Sequence, residues 1–250
     1  MSKNKKLMVC TPVHSSVSIF YSKSCLDLQK KFLSDGIEIE FQQIRSSLVT
    51  EGRNLCVSTF LNSDFSHMLF VDSDIEFSTK SALKLFKSDH EISLIPYPKK
   101  AISEEKFKKD LIKRPSDNIK TLGLNYSVSV LDPNNINPKD GFIEIKRGPA
   151  GMMMIQRSVF EKLIEKKPEL KIDQETLINN KLLKLNNYFN FFHIKWSPEE
   201  NSYFGEDVYF CDLWTSIGGK IFALVDEYIT HVGDYKFTGR LIDEFKKKIK

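Results

Sequence analysis

Short apolar runs alternate with amphipathic segments along the first hundred residues of the chain. The apolar runs at residues 7–10, 68–71 and 92–95 are typical of strands that are buried on both faces. Residues 37–41 alternate between apolar and polar side chains, which also indicates a strand. Between these runs, apolar residues recur at helical spacing. The repeated order of strand and helix predicts an α/β fold in which helices flank a mostly parallel sheet.

Further helices and strands are predicted from the same signals. Helices are expected to start near these polar residues: Ser15 or Ser16, Arg53, Ser78 and Asp207. Additional strands are expected at residues 142–145, 152–155 and 221–225, and we interpret the last of these as the final strand. Residues 101–140 and 166–190 show little regular pattern, which predicts an insertion or a flexible cover. A short basic amphipathic helix is predicted at residues 241–250.

Length and composition are those of a globular enzyme-sized domain. The chain has 250 residues, of which 41% are hydrophobic, and this is enough for one domain with a sizeable core. Lys and Arg number 37 against 33 Asp and Glu, a net charge of +4. This mild and scattered excess gives little support for nucleic-acid binding.

Cysteine usage and hydropathy bear on the cellular compartment. The four cysteines are widely spaced and form no CxxC pair, so we expect free thiols in a reducing compartment. No apolar run approaches the roughly 20 residues that a membrane span requires. The basic N-terminus is followed by an apolar stretch too short for a signal peptide. We therefore expect a cytoplasmic protein.

Two aspartates follow the predicted strand at residues 68–71. Asp72 and Asp74 flank Ser73, and carboxylate oxygens are the ligands that Mg²⁺ and Mn²⁺ prefer. In an open α/β sheet, ligands bind beyond the carboxyl ends of the strands. A metal held there would neutralise a departing diphosphate. An ordinary aspartate turn before the helix at Ser78 is the alternative interpretation.

Two other groups have side chains suited to the same chemistry. His231 offers an imidazole as a third ligand for Mn²⁺, and a structural histidine is the alternative. Glu206 and Asp207 lie at the start of a predicted helix, where a carboxylate can act as a general base toward an acceptor hydroxyl. Acidic residues that only complement the helix dipole are the alternative there.

Cationic and small residues complete the candidate site. Arg53 and Lys99, with its neighbour Lys100, are candidate partners for a diphosphate, although a solvated surface charge explains Lys100 equally well. Gly148 and Gly151 bound a loop of small residues whose backbone can approach a ligand closely. A plain turn between two strands is the alternative for this loop.

The motifs together resemble those of the GT-A glycosyltransferases, in particular a group of short enzymes found in bacteria, phages and large viruses. The resemblance spans residues 7–233 and fades at residues 108–138 and 166–201. The segments that carry it are, in order, a strand ending in Thr-Pro, a Gly-Arg-Asn helix, HMLFVDSDIEF, IPYPKK, GFIEIKRGPAGMMMIQRSVFEKL, YFGEDVYFCDLWTSIGGKIF and ITHVG.

This resemblance implies a fold, a reaction and a role for individual residues. The fold would be GT-A, with residues 1–100 binding the nucleoside-diphosphate sugar and residues 101–240 facing a glycan, a lipid-linked or a protein acceptor. Asp72, Asp74 and His231 would bind Mn²⁺ or Mg²⁺, and Asp207, beside Glu206, would be the base of an inverting enzyme. The basic tail at residues 241–250 would be either a solvated helix or a contact with a membrane surface. The donor would contact Thr11, Pro12, Arg53, Asp72, Ser73, Lys99, Gly148 and Gly151.

Three other functions are compatible with parts of the pattern. A phosphatase with an aspartyl nucleophile also uses a D-x-D motif, but Glu76 departs from that pattern and His231 would have no role. A nucleotidyltransferase would need a loop rich in glycine and arginine after Cys10, and the sequence has none. A non-catalytic sugar-nucleotide-binding module is disfavoured by the intact carboxylates.

Overall fold

The computed structural model describes residues 5–115, 117–178 and 181–245. The helices in these ranges are α1 (Ile19–Ser34), α2 (Val49–Leu61), α3 (Thr79–Lys87), α4 (Glu104–Lys113), α5 (Arg157–Lys166) and α6 (Glu206–Ser216), with short 3-10 turns at Ile119–Thr121, Pro168–Leu170 and Leu241–Glu244. The strands in the same ranges are β1 (Leu7–Val13), β2 (Ile39–Arg45), β3 (His67–Val71), β4 (Ile75–Glu76), β5 (Ile92–Leu94), β6 (Pro98–Ile102), β7 (Leu124–Tyr126), β8 (Ser129–Val130), β9 (Phe142–Arg147), β10 (Met152–Gln156), β11 (Glu175–Ile178), β12 (Lys181–Lys184), β13 (Lys195–Ser197), β14 (Ser202–Phe204), β15 (Ile221–Leu224), β16 (Ile229–Val232) and β17 (Lys236–Gly239).

An eight-stranded sheet in the order β2-β1-β3-β10-β5-β15-β9-β8 forms the centre of the protein. β1 pairs in parallel with both β2 and β3, and β5 pairs in parallel with β15. β10 and β9 are antiparallel to their neighbours, so they run against the other strands. The prediction of an α/β fold with a mostly parallel sheet is confirmed. Because β10 lies between β3 and β5, the segments before and after residue 100 share this sheet.

The sheet divides the core into two layers. Along β3, Met68 and Phe70 face one layer while Leu69 and Val71 face the other, as the two-residue period of a strand requires. Residues of α2, α5 and α6 pack in the first layer, and residues of α1 and α3 pack in the second. Both faces of the central strands are therefore covered, which explains their continuous apolar sequence.

Helix starts and strand ends differ from the sequence prediction at several points. Ser18, and not Ser15 or Ser16, caps α1, because its side chain accepts a hydrogen bond from the Phe20 backbone amide. Its own amide donates to the Ser73 carbonyl oxygen at 2.8 Å, so a tertiary contact sets the helix start. α2 begins at Val49, and Arg53 therefore lies within the helix.

The segments predicted to be irregular contain regular elements. α4 starts behind the Ser103 cap, and an antiparallel β11–β12 pair occupies part of the second lysine-rich region. β15 is not the final strand, because β16 and β17 follow it and pair with each other. Of the predicted tail helix, Leu241–Glu244 is a 3-10 turn, and residues 246–250 lie outside the described residues.

The sequence predicts that the cysteines are free thiols and that no segment spans a membrane. All four cysteines are buried and free. In the described ranges, no helix is long and apolar enough to cross a membrane.

His67, at the start of β3, predicts a specific pH dependence of stability. Burial lowers the pKa of this histidine to about 4 from an ordinary value of 6.5. Between these pH values the unfolded chain binds more protons than the folded one, so stability falls as the pH falls from 6.5 to 4. In His67→Phe, the free energy of unfolding should no longer fall by the up to about 3 kcal/mol that His67 causes between pH 6.5 and 4. Urea unfolding of both proteins at pH 6.5 and pH 4.5 measures the difference, and parallel losses in the two proteins would contradict the assignment.

Candidate active site

The carboxyl ends of the neighbouring parallel strands β1, β2 and β3 meet at one edge of the sheet. A cavity of about 390 Å³ opens there. Its walls are formed by residues at or just after the ends of these three strands and by the first residue of α2. Tyr97, between β5 and β6, and His231 of β16 complete them. The lining residues are Pro12, Val13, His14, Ser46, Ser47, Val49, Asp72, Ser73, Asp74, Tyr97 and His231. The predicted position of the site, beyond the strand ends, agrees with this cavity.

Arg53 connects the two acidic motifs beneath this cavity. Its Nη2 donates to Asp72 Oδ1 at 2.9 Å, and its Nε donates to Glu206 Oε1 at 3.1 Å. The guanidinium is only 3% exposed, and its Cζ lies 5.1 Å from the centre of the Phe70 ring and 6.0 Å from that of Phe192. Burial opposes the charge, but the two carboxylates outweigh it and raise the pKa of Arg53. Arg53 therefore positions both acidic motifs through Nη2 and Nε, while its buried Nη1 has no hydrogen-bond partner among the described residues. Its contact with a diphosphate stays a prediction.

Tyr97 and Gly151 hold the other side of Asp72. The Tyr97 hydroxyl lies 3.4 Å from Asp72 Oδ2, and the Asp72 amide donates to the Gly151 carbonyl oxygen at 2.9 Å. A Cβ atom at Gly151 would lie 2.4 Å from Asp72 Oδ2 and 2.6 Å from the Tyr97 hydroxyl. Glycine is therefore required at this position by the close packing of the site itself.

Asp74 lies between two nitrogen atoms. Lys100 Nζ donates to Asp74 Oδ2 at 2.5 Å, and His231 Nε2 lies 3.5 Å from the same oxygen. Burial raises the pKa of Asp74, but hydrogen bonds from His231 and Lys100 outweigh burial and lower it. His231 Nδ1 lies 3.0 Å from the Pro98 carbonyl oxygen. Because a carbonyl oxygen only accepts, Nδ1 donates this hydrogen bond, and Nε2 is the ring nitrogen that faces Asp74.

The three predicted metal ligands share the cavity but do not form a ready cluster. Across residues 5–115, 117–178 and 181–245, no group of three His, Cys, Asp or Glu side chains is arranged to hold a metal ion. The physical reason is visible in the contacts: Arg53 and Tyr97 engage Asp72, while Lys100 engages Asp74. Asp74 and His231 remain the closest pair of potential ligands.

Glu206 and Asp207 form the first turn of α6, which points its N-terminus at the site. Burial, followed by the charge of Glu206, raises the pKa of Asp207. The pKa of the Tyr97 hydroxyl is also raised. Burial is the largest cause, and the charges of Asp72, Asp207 and Asp74 raise the pKa further. Asp207 Oδ1 also accepts from the Val208 amide at 2.7 Å, which is the helix-end role foreseen as the alternative.

Three predicted donor contacts lie elsewhere than expected. Thr11 is fully buried, and its hydroxyl is 2.6 Å from the Tyr21 hydroxyl, so only its neighbour Pro12 reaches the cavity. Gly148 packs on the core, because a Cβ there would lie 2.8 Å from the Leu94 side chain. Lys99 is exposed on β6, and the next lysine is the one that approaches Asp74.

The structure adds residues that the sequence did not single out. Ser46 and Ser47 enter the cavity after the end of β2, as does His14 after β1. Their position beyond a strand end was a usable signal, but their side chains carry no distinctive chemistry. Tyr97 belongs to a predicted strand end, yet its place between three carboxylates depends on packing that a linear pattern does not contain.

A larger groove of about 1050 Å³ lies apart from this site, between α3 and the strands β9 and β15. Its floor includes Phe222 and Phe142, and lysine side chains border it. It contains none of the predicted site residues, whereas Asp72, Asp74 and His231 line the smaller cavity at the strand ends. Glu206 and Asp207 do not line that cavity, and Glu206 is joined to Asp72 through Arg53.

No family model matches the chain, and no curated protein matches it. Solved structures similar to it include A197 from STIV, with 16% identity and a TM-score of 0.48 over 95% of this chain and 91% of that chain. The inositol-1-phosphate CTP transferase from T. maritima has 11% identity and a TM-score of 0.42, with 100% of this chain and 98% of that chain covered. A glycosyltransferase involved in the glycosylation of the major capsid of PBCV-1 has 10% identity and a TM-score of 0.31, with 64% of each chain covered.

Replacement of Arg53 tests the buried bridge. Arg53→Met leaves two carboxylates without their cation, and we expect a loss of about 3–5 kcal/mol in the free energy of unfolding. Arg53→Lys should recover only part of it, because an ammonium lacks the planar fork that reaches both partners.

A second arginine of the same protein is the matched control. Arg147 pairs with Asp212 of α6 at 2.6 Å, but both side chains are partly exposed, at 26% and 39%. Arg147→Met should therefore cost about 1 kcal/mol or less. Guanidinium unfolding curves compare the variants, and equal losses for Arg53→Met and Arg147→Met would remove the special role of Arg53.

Proposed function

We propose that this chain is a glycosyltransferase that moves a sugar from a nucleoside-diphosphate sugar to an acceptor hydroxyl at the 390 Å³ cavity. The observation that supports this most is the Arg53 bridge, which joins the Asp72-Ser73-Asp74 turn to the Glu206-Asp207 helix start in one site. A candidate metal-binding motif and a candidate base would then be adjacent, as transfer to a hydroxyl requires.

We infer from the donor chemistry of the site that a divalent cation would bind at Asp74 and His231. Asp74 would supply carboxylate oxygens, and His231 would bind the ion through Nε2, since Nδ1 donates to the Pro98 carbonyl oxygen. This carboxylate and imidazole pair suits Mn²⁺ or Mg²⁺, and Asp72 would join it through oxygen lone pairs that Arg53 and Tyr97 leave open. A bound metal ion would supply positive charge to the leaving diphosphate.

The protein's own residues would carry out the proton transfer. Asp207 would accept the proton of the acceptor hydroxyl while that oxygen bonds to the anomeric carbon. The bond from the anomeric carbon to the diphosphate oxygen would break, and the nucleoside diphosphate would leave. One displacement of this kind inverts the anomeric configuration. The raised pKa of Asp207 strengthens it as a base, and Arg53 would keep Glu206 oriented beside it.

The phosphatase alternative leaves part of the site without a role. An aspartyl nucleophile would attack phosphorus through a carboxylate of the D-x-D motif. That reaction gives no role to Glu206, which Arg53 joins to Asp72, or to His231. We also propose that the acceptor is a glycan, a lipid-linked sugar or a protein, and that the protein is cytoplasmic. A contact with a membrane surface is part of the same proposal.

A thermal-shift panel tests the donor site. UDP, GDP, CMP and dTDP sugars, each with and without Mn²⁺, should include one donor that raises Tm by about 5 °C or more at saturation. Asp74→Asn should remove the Mn²⁺-dependent part of this shift while its own Tm stays close to the wild-type value, because Asp74 is partly exposed. Asp72→Asn is a less clean variant, since it also unbalances buried Arg53. No stabilisation by any donor would overturn the proposed function.

Paired variants at the start of α6 test the base. Asp207→Asn keeps an oxygen that can accept from the Val208 amide, so the fold and donor binding should survive while kcat falls about 10²–10⁴-fold. Glu206→Gln keeps an acceptor for Arg53 and should retain far more activity. The acid limb of kcat/KM should also lie above the ordinary aspartate range, because activity is lost as the pH falls through the raised pKa of Asp207. A larger loss in Glu206→Gln than in Asp207→Asn would reverse the assignment.

A further inference from the structure

Strand β6 supplies two groups to the same corner of the cavity. The Pro98 carbonyl oxygen holds His231 Nδ1 at 3.0 Å, and two residues later Lys100 Nζ contacts Asp74 Oδ2. Lys99, between them, is exposed and does not line the cavity. One strand therefore orients the histidine and also places a cation against the aspartate beside it.

The stem of Lys100 is held in place by the neighbouring loop. A Cβ atom at Gly233 would lie 3.2 Å from Lys100 Cδ and 3.7 Å from its Cε. The absence of a side chain at Gly233 thus leaves room for the lysine to cross the loop and reach Asp74. The contact between Lys100 and Asp74 is therefore supported by the packing of the lysine stem against Gly233.

The ammonium of Lys100 occupies the position beside Asp74 that a bound cation would take. Lys100 Nζ lies 2.5 Å from Asp74 Oδ2, and His231 Nε2 lies 3.5 Å from the same oxygen. A metal ion bound to this oxygen and this nitrogen would meet the ammonium there, and two cations at one carboxylate repel each other.

We propose that Lys100 is a built-in competitor for the metal: its ammonium holds the cation position at Asp74 in the free protein, and a divalent ion must displace it there. The inference rests on the proposed function for the identity of that ion. Once displaced, the ammonium stays tethered at the rim of the cavity, where a diphosphate would be its natural partner. Lys100 is thus a positioning residue that links metal binding to donor binding.

Manganese binding to the full chain without nucleotide tests this directly. Electron paramagnetic resonance counts free Mn²⁺ in titrations of the wild type, Lys100→Met and Lys99→Met. Lys100→Met should bind Mn²⁺ at least about threefold more tightly, because the ion no longer has to displace the ammonium from Asp74 and meets no like charge there. Lys99→Met removes the same charge from the same strand without touching Asp74, and it should match the wild type.

Further variants separate the outcomes. Asp74→Asn, alone and with Lys100→Met, should abolish binding in both backgrounds, which assigns the ion to this site. In the presence of Mn²⁺, inorganic pyrophosphate should bind more weakly to Lys100→Met than to Lys99→Met. Equal Mn²⁺ affinity for Lys100→Met and wild type, or an equal gain in Lys99→Met, would overturn the role of Lys100.

Different results would overturn this inference and the proposed function. If no variant binds Mn²⁺, both the metal competition and the metal-dependent mechanism are overturned. If Lys100→Met binds Mn²⁺ more tightly but no sugar nucleotide stabilises the protein, the competition stands and the glycosyltransferase assignment falls.

Discussion

The buried guanidinium of Arg53 is the interaction on which the candidate site depends. A charge with 3% exposure is tolerated only where opposite charges and hydrogen bonds replace water, and Asp72 and Glu206 supply both. These carboxylates come from the end of β3 and the start of α6, so satisfying one helical arginine fixes two distant elements. The geometry of the acidic motifs is therefore a requirement of folding as well as of chemistry.

Apolar contacts beneath Arg53 make the bridge rigid. Phe192 stacks on Phe210 of α6 at 4.5 Å and meets Phe70 of β3 edge-on at 5.3 Å. Asn54, the residue after Arg53, holds Phe192 by accepting from its amide and donating to its carbonyl oxygen. Arg53 thus binds the acidic residues, and Asn54 binds the aromatic layer. A site supported in this way can keep its carboxylates in place while a ligand enters and leaves.

The sequence predicts the sheet and the acidic motifs well because both depend on local patterns. The apolar run at residues 68–71 ends directly before Asp72, and Ser78 caps α3 as expected. Side-chain direction is harder, because it depends on which face of a strand or helix meets the site. Thr11 points into the core and Lys99 points away from Asp74, each one residue from a side chain that does reach the site. Arg53 was recognised as a candidate cation, but its burial follows from contacts with residues far along the chain.

Charge balance favours the cation of the proposed mechanism. Asp72 and Asp74 line the cavity, and Arg53 joins Asp72 to Glu206. Among the described residues, Arg53 and Lys100 are the arginine and lysine side chains that contact these three carboxylates. A diphosphate would add further negative charge, and Lys100 would turn to it only by leaving Asp74. In the proposed mechanism, a divalent ion at Asp74 would replace Lys100 beside the aspartate and would release the ammonium for the incoming anion.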